Sequence, residues 1–166
     1  MLVVEGGEGQ RKNPLEVVEG LATGNNWPFE RSANAEIALV INGNWTNYQV
    51  SFTWMEDIEV LHLACAFEMK VPDRRLSEVQ RLIVGINELL WLGHFDVWTR
   101  NSVVMLRQSL LLVGGLPVSG RQCEVALSSA LDTCERYYRA FQFVVWAGKT
   151  AREAMDSVMF ETVGQA

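Results

Sequence analysis

The sequence predicts an α+β domain in which an antiparallel sheet of five to six strands carries its helices mainly on one face. Several segments alternate apolar and polar residues and are joined by short turns such as Asn42-Gly43, which is typical of hairpins. Helical patterns stand before, between and after groups of strands and do not follow every strand. Strands joined by hairpins run antiparallel, so the helices should gather on one side of the sheet.

The first helix should begin after Asn13, which can cap it while Pro14 occupies the first helical position. Gly24 is its predicted end, because glycine enters the left-handed conformation at low cost. Residues 1–12 are rich in glycine and charge, so we predict a disordered N-terminal tail there. Residues 13–162 are predicted to form a single domain.

Four strands are predicted next, at residues 29–31, 36–41, 48–55 and 60–71. In the third strand, Tyr48, Val50, Phe52 and Trp54 share one face and polar residues occupy the other, the period of two of a half-buried strand. The fourth strand is apolar on both faces and should therefore be central in the sheet. Glu56, Asp57 and Glu59 lie between them, in a segment that is predicted to form a solvated turn.

The clearest amphipathic helix spans Leu76 to Leu90, with Gly93 as its predicted cap. A second hairpin follows, with strands at 95–100 and 103–112 that turn at Asn101-Ser102. This element order is consistent with helices on one face of a hairpin-built sheet.

Ser119 and Gln122 form a capping box that opens the longest helix, and Thr150 with Glu153 opens a last, shorter one. The end of the long helix, residues 141–146, is apolar at every position except Gln142, so we expect it to lack a polar face. A helical segment without a polar face is either fully buried or covered by a partner.

Charge and targeting signals limit the possible partners. The net charge of -6 disfavours binding to nucleic acid. No signal-peptide pattern and no uncharged run of about 20 residues occurs, so we expect a cytoplasmic protein with no membrane partner. Cys65, Cys123 and Cys134 lack the spacing of zinc ligands and are predicted to be reduced core residues.

The sequence contains few of the residues and motifs that enzymes use for catalysis. His62 and His94 are the two histidines, and the sequence contains no nucleophile elbow, no phosphate-binding glycine loop and no calcium-binding loop. We therefore assign no catalytic, cofactor-binding or metal-ligating residue, and expect a protein that is not an enzyme and that carries no cofactor.

Three segments together resemble a known family: Trp54-Met55-Glu56-Asp57, residues 65–72, and above all residues 87–95, Asn-Glu-Leu-Leu-Trp-Leu-Gly-His-Phe. They resemble the YbjN family, small bacterial proteins described as candidate sensory transduction regulators with a fold like the type III secretion chaperones. The resemblance covers residues 13 to about 160. It implies a chaperone-like domain that is often dimeric and has no established enzymatic activity. The family has no agreed catalytic or ligand residues, so none is carried over.

The function we expect is that of a non-catalytic protein-interaction or chaperone-like regulatory domain, which binds an unknown partner polypeptide as a homodimer. Apolar grooves or an added edge strand would hold the partner. Aromatic side chains often dominate interface energies, which makes the hairpin region and the apolar helix end the candidate interaction surface. This surface comprises Trp45, Phe141, Val145 and Trp146.

The alternative is a small-molecule sensor with an apolar pocket between sheet and helices, near Tyr48, Trp54 and Phe67. The tryptophans that follow regular strand or helix patterns, among them Trp91 and Trp98, are predicted to pack in the core.

Overall fold

The structure, a computed structural model, describes residues 12–33 and 35–164, the last four by their backbone alone. Four α-helices and six strands lie within these residues. In chain order they are α1 Pro14–Gly24, β1 Phe29–Ser32, β2 Glu36–Asn42, β3 Asn47–Met55, β4 Val60–Lys70, α2 Leu76–Asn87, β5 His94–Trp98, β6 Val103–Leu111, α3 Gly120–Val145 and α4 Ala151–Gly164. The predicted tail falls outside the described residues except for Lys12, and the domain boundaries stay a prediction.

The strands form one sheet in the order β1-β2-β3-β4-β6-β5, and every neighbouring pair is antiparallel. The predicted fold class, an antiparallel sheet of up to six strands with helices mainly on one face, is confirmed. β4 lies between β3 and β6, as its two apolar faces predict. Phe52 is paired with Leu63, and Val50 with Cys65, so alternate residues of these central strands face the helices.

The core lies between this inward face and the helices. Phe67 of β4 is at its centre, and four aromatic rings surround it with centroids between 5.3 and 5.9 Å away. All four contacts have the edge-to-face geometry that aromatic quadrupoles favour. The four partners are Tyr48, Phe95, Tyr138 and Phe141. The cysteines are also buried, as predicted, and none is in a disulfide.

Helix α1 begins as predicted, because the Asn13 side chain accepts a hydrogen bond from the Leu15 N–H at 2.9 Å and Pro14 follows. It also ends at Gly24. However, the residue with a left-handed backbone is Asn26, at φ 56°, and not Gly24. Asparagine tolerates this conformation well, so the turn into β1 needs no glycine.

Helix α2 ends at Asn87, three residues earlier than the apolar pattern predicts. The Asn87 amide pairs with both backbone groups of Phe95: it accepts from the Phe95 N–H at 2.8 Å and donates to the Phe95 carbonyl at 3.1 Å. Gly93 has φ 69°, and a Cβ there would stand 2.9 Å from the Arg107 carbonyl oxygen. These contacts fix the loop between α2 and β5.

Helix α3 begins at the predicted capping box, with reciprocal hydrogen bonds between Ser119 and Gln122. Its far end is fixed by Arg75, which immediately precedes α2, and by Glu78 in the first turn of α2. The Arg75 guanidinium donates to the Val144 carbonyl at 2.8 Å and to the Lys149 carbonyl at 2.6 Å. The Glu78 carboxylate accepts from the first N–H of α4, that of Ala151, at 2.9 Å. Helix α2 therefore holds the corner between α3 and α4.

Among the helices of the described residues, none has both the length and the apolar character required to cross a membrane.

Candidate functional site

Two tryptophans of the predicted interaction surface stand on one side of α3. Trp45, in the turn between β2 and β3, is 50% exposed, and Trp146, at the end of α3, is 61% exposed. The Arg139 guanidinium lies over the Trp45 ring at 5.2 Å and over the Phe143 ring at 5.7 Å. The Lys149 ammonium lies 5.6 Å from the centroid of Phe143. We call these five residues the α3 stripe.

Helical spacing joins Trp146 to this group. Trp146 follows Arg139 by seven residues, two turns of helix, so both project from the same face. Trp45 is distant in sequence and reaches the stripe only through the fold. The structure thus places Trp45 against Arg139, two helical turns from Trp146, although the two tryptophans are 101 positions apart in the sequence.

The turn that carries Trp45 is anchored to α3. The Asn44 N–H donates to the Glu135 carboxylate at 2.6 Å. A Cβ on Gly43 would overlap both that carboxylate and the Tyr48 ring, so this position needs glycine for space. The pair Asn42-Gly43 predicted the turn from the sequence. Glycine is required at position 43 because the turn lies close to the Glu135 side chain of α3.

The other two residues of the predicted surface, Phe141 and Val145, are buried in the core of the chain itself. Phe141 packs against Phe67 and Phe95, and the α3–α4 corner closes over this end of the helix. Of the two explanations for an apolar helix end, burial within the chain holds for Phe141 and Val145. The exposed part of the predicted surface is therefore Trp45 and Trp146.

A second exposed apolar group was missed by the sequence argument. Trp91 is 99% exposed, and its neighbours Leu89 and Leu92 are also exposed. The prediction that Trp91 packs in the core is wrong, because α2 ends before it and the following loop turns outward. Trp98 was also predicted to pack and is exposed as well, on the outer sheet face. We call Leu89, Trp91 and Leu92 the Trp91 patch.

The residues predicted to line a pocket between sheet and helices lie in the packed interior. Tyr48 and Phe67 are buried and contact each other edge to face, and Trp54 is partly buried against the same core. Burial raises the pKa of Tyr48, and the nearby Glu135 raises it further. Two surface hollows, of about 510 and 610 Å³, are lined by other residues.

The larger hollow, of about 610 Å³, crosses the sheet face that carries no helix. We call it the trough. Ser51 of β3 and Ala64 of β4 are paired neighbours at its floor, and it extends from Glu36 on β2 to Trp98 on β5. Its other lining residues are Thr53, Met55, His62, Asp96, Val97, Thr99, Met105 and Arg107.

A chain of polar contacts crosses the trough. Arg107 Nε donates to His62 Nε2 at 3.1 Å, and Arg107 Nη1 donates to Asp96 Oδ2 at 3.2 Å. Burial lowers the pKa of His62, and the charges of Arg107 and His94 lower it further. His62 is therefore neutral at neutral pH, with its proton on Nδ1 so that Nε2 can accept from Arg107.

Among the other titratable groups, Glu59 has a structural role. The Glu59 carboxylate in the acidic turn accepts from the N–H groups of Gly114 and Gly115, at 3.2 and 3.3 Å. This contact ties the turn between β3 and β4 to the loop after β6. Within the described residues, no three histidine, cysteine or carboxylate side chains are grouped closely enough to hold a metal ion.

The architecture is an α+β fold like that of the type III secretion chaperones, as predicted. A family model described as "YbjN: Putative bacterial sensory transduction regulator" matches residues 14–143, and the chain therefore belongs to the YbjN family. The resemblance seen in the sequence is confirmed. A search of curated proteins found no match.

Three solved structures share the fold. "Crystal structure of YbjN, a putative transcription regulator from E. coli" aligns with TM-score 0.55 at 12% identity, over 76% of this chain and 90% of that one. "Crystal Structure of the ExsC-ExsE Complex" aligns with TM-score 0.54 at 15% identity, over 78% and 96%. "Structure of the HopA1-SchA Chaperone-Effector Complex" aligns with TM-score 0.53 at 12% identity, over 74% and 89%. At these identities the likeness is one of fold.

Proposed function

We propose that this protein is a non-catalytic, cytoplasmic, chaperone-like domain that binds a segment of a partner polypeptide through the α3 stripe. The observation that carries the proposal is the pair of exposed tryptophans, Trp45 and Trp146, on one side of α3. Tryptophan and arginine are the residues most enriched among those that dominate binding energy at protein interfaces. A neighbour of the same fold, described as a chaperone-effector complex, supports this class of function.

Contacts within the chain order part of the α3 stripe before a partner binds. Trp45 is fixed by the Arg139 guanidinium above it and by the anchored turn beneath it. Side chains that are already ordered lose less conformational entropy when a partner binds. Arg139 and Lys149 add positive charge to this surface, although the chain as a whole carries -6. A partner segment with apolar anchors and acidic residues fits these groups.

The proposed homodimer uses a different surface, the Trp91 patch. Its three apolar side chains are exposed on a loop that Asn87 and Gly93 hold in place. An isologous interface needs a self-complementary patch, and flat apolar side chains on a fixed loop provide one. Because Phe141 and Val145 belong to the core, glutamate at those positions should unfold the chain and would not report on a dimer.

Partner binding is tested by affinity capture of the tagged protein from its native lysate after mild cross-linking, with identification by mass spectrometry. We expect a polypeptide that is captured by the wild type and by Trp91→Glu but lost in Trp146→Glu. The two variants place the same charge at exposed tryptophans on different surfaces, so each controls for the other. Unchanged capture by Trp146→Glu would remove the α3 stripe from the proposal.

The dimer is tested by light scattering on the same three proteins. The wild type and Trp146→Glu should show twice the monomer mass of 18.7 kDa, and Trp91→Glu should show the monomer mass. A wild type that is monomeric at high concentration would exclude the homodimer. A Trp91→Glu variant that stays dimeric would place the interface elsewhere.

A further inference from the structure

The trough has the size and construction of a small-molecule site. Its volume of about 610 Å³ lies within the range of known ligand pockets, roughly 300–1,000 Å³. The small side chains Ser51 and Ala64, paired at the middle of the sheet, give it depth. The exposed Trp98 ring forms one wall. The far side is formed by Glu36 on β2.

Arg107 is held in this trough from two sides. His62 accepts from Nε, and Asp96 accepts from Nη1. The other oxygen of Asp96 accepts from the Val97 N–H at 2.9 Å, which fixes that carboxylate in turn. The remaining nitrogen of Arg107, Nη2, donates to no residue that the structure describes. A planar guanidinium held in place with unused N–H groups is suited to bind a carboxylate.

The carboxylates in the trough limit the negative charge that a ligand can carry. Asp96 balances Arg107 at one end. At the other end, the Glu36 carboxylate accepts a hydrogen bond from the Thr53 hydroxyl. The strands that carry Glu36 and Arg107 are three strand spacings apart, about 14 Å. A ligand with one negative charge that pairs with Arg107 presents only neutral groups to Glu36, whereas a larger polyanion would meet repulsion there.

We propose that the trough binds a small planar monocarboxylic acid. Its carboxylate contacts Arg107, and its flat apolar body lies over Ser51 and Ala64 against Trp98. The site is on the sheet face opposite the helices, so it is separate from the α3 stripe and does not depend on the polypeptide function.

The test uses 2-naphthoate as the probe, titrated into isotope-labelled protein and followed by two-dimensional NMR. We expect shifts at the Trp98 indole N–H and at backbone amides of the trough. Arg107→Lys keeps the charge but loses the planar fork, and should weaken binding about tenfold or more. Arg121→Lys, the same change at an exposed arginine on α3, should leave binding unchanged.

Neutral 2-naphthamide has the same shape without the charge, and it should bind the wild type about tenfold or more weakly than 2-naphthoate. Ala64→Phe places a bulky ring on the floor of the trough, beside its cross-strand partner Arg107, so it should abolish binding. The proposal is overturned if millimolar 2-naphthoate shifts no signal in the trough, if the amide binds as well as the acid, or if folded Ala64→Phe binds like the wild type.

Discussion

The contact between Arg75 and the end of α3 should be among the most important polar contacts for stability. Helix α3 has no basic residue in its last turn to interact with its terminal carbonyls. Arg75, the residue immediately before α2, supplies that charge through hydrogen bonds to the carbonyls of Val144 and Lys149. Replacing Arg75 by methionine keeps the apolar stem and removes both hydrogen bonds.

The size of the effect follows from these two contacts. A hydrogen bond that involves a charged group contributes about 1.5–3 kcal/mol, and partial exposure of this site places the values at the low end. Arg75→Met should therefore lower the free energy of unfolding by about 2–4 kcal/mol. Arg75→Lys keeps the charge but not the two-pronged geometry, so it should fall between methionine and wild type.

Urea unfolding followed by circular dichroism measures this effect. With a urea m-value of about 2 kcal/mol/M, the midpoint should fall by about 1–2 M while the slope stays unchanged. Arg121→Met is the matched control, because it breaks an exposed ion pair with Glu124 and should cost about 0.5 kcal/mol or less. If Arg75→Met and Arg121→Met have equal midpoints, the assignment of Arg75 as a structural clamp is refuted.

Three further substitutions test other contacts by the same unfolding assay. The Tyr48 hydroxyl is buried with no hydrogen-bond partner in the described residues, so Tyr48→Phe should equal or exceed wild-type stability; a clear loss would reveal a missed partner. Gly43→Ala should cost about 1–3 kcal/mol, because its methyl group would overlap the Glu135 carboxylate, and wild-type stability would contradict this packing. His62 has a lowered pKa in the folded protein, so its imidazole binds a proton more tightly in the unfolded chain. The free energy of unfolding should therefore fall as the pH drops through about 6.5, and it should level off below the folded pKa. His62→Gln can still accept from Arg107 and should lack that component of the pH profile; an unchanged profile would show that His62 does not cause it.

Local sequence patterns correctly predicted the features that form within a single segment of the chain. The capping box at Ser119 and the N-cap at Asn13 involve residues two or three positions apart, and both occur as predicted. The apolar character of β4 on both faces placed it correctly inside the sheet. Such features depend on periodicity and short-range hydrogen bonds, which the sequence contains directly.

The end of α2 shows where local patterns fail. Apolar residues continue at helical spacing to Leu90, yet the helix stops at Asn87 because that side chain binds the backbone of Phe95. The contact lies between a helix and a following strand, so helical periodicity does not detect it. As a result Trp91 is on the surface, where its position in the apolar pattern predicts burial.

The sequence by itself determined the fold class, the family, the sheet-forming segments and the scarcity of catalytic groups, because these depend on composition, periodicity and motifs along the chain. Only the tertiary structure decided which apolar residues face solvent. Phe141 and Trp146 belong to the same apolar run, yet one packs against Phe67 and the other projects outward. Exposure depends on what the rest of the chain covers. The sequence around a hydrophobic residue does not indicate whether its neighbours in space come from its own chain or from a partner.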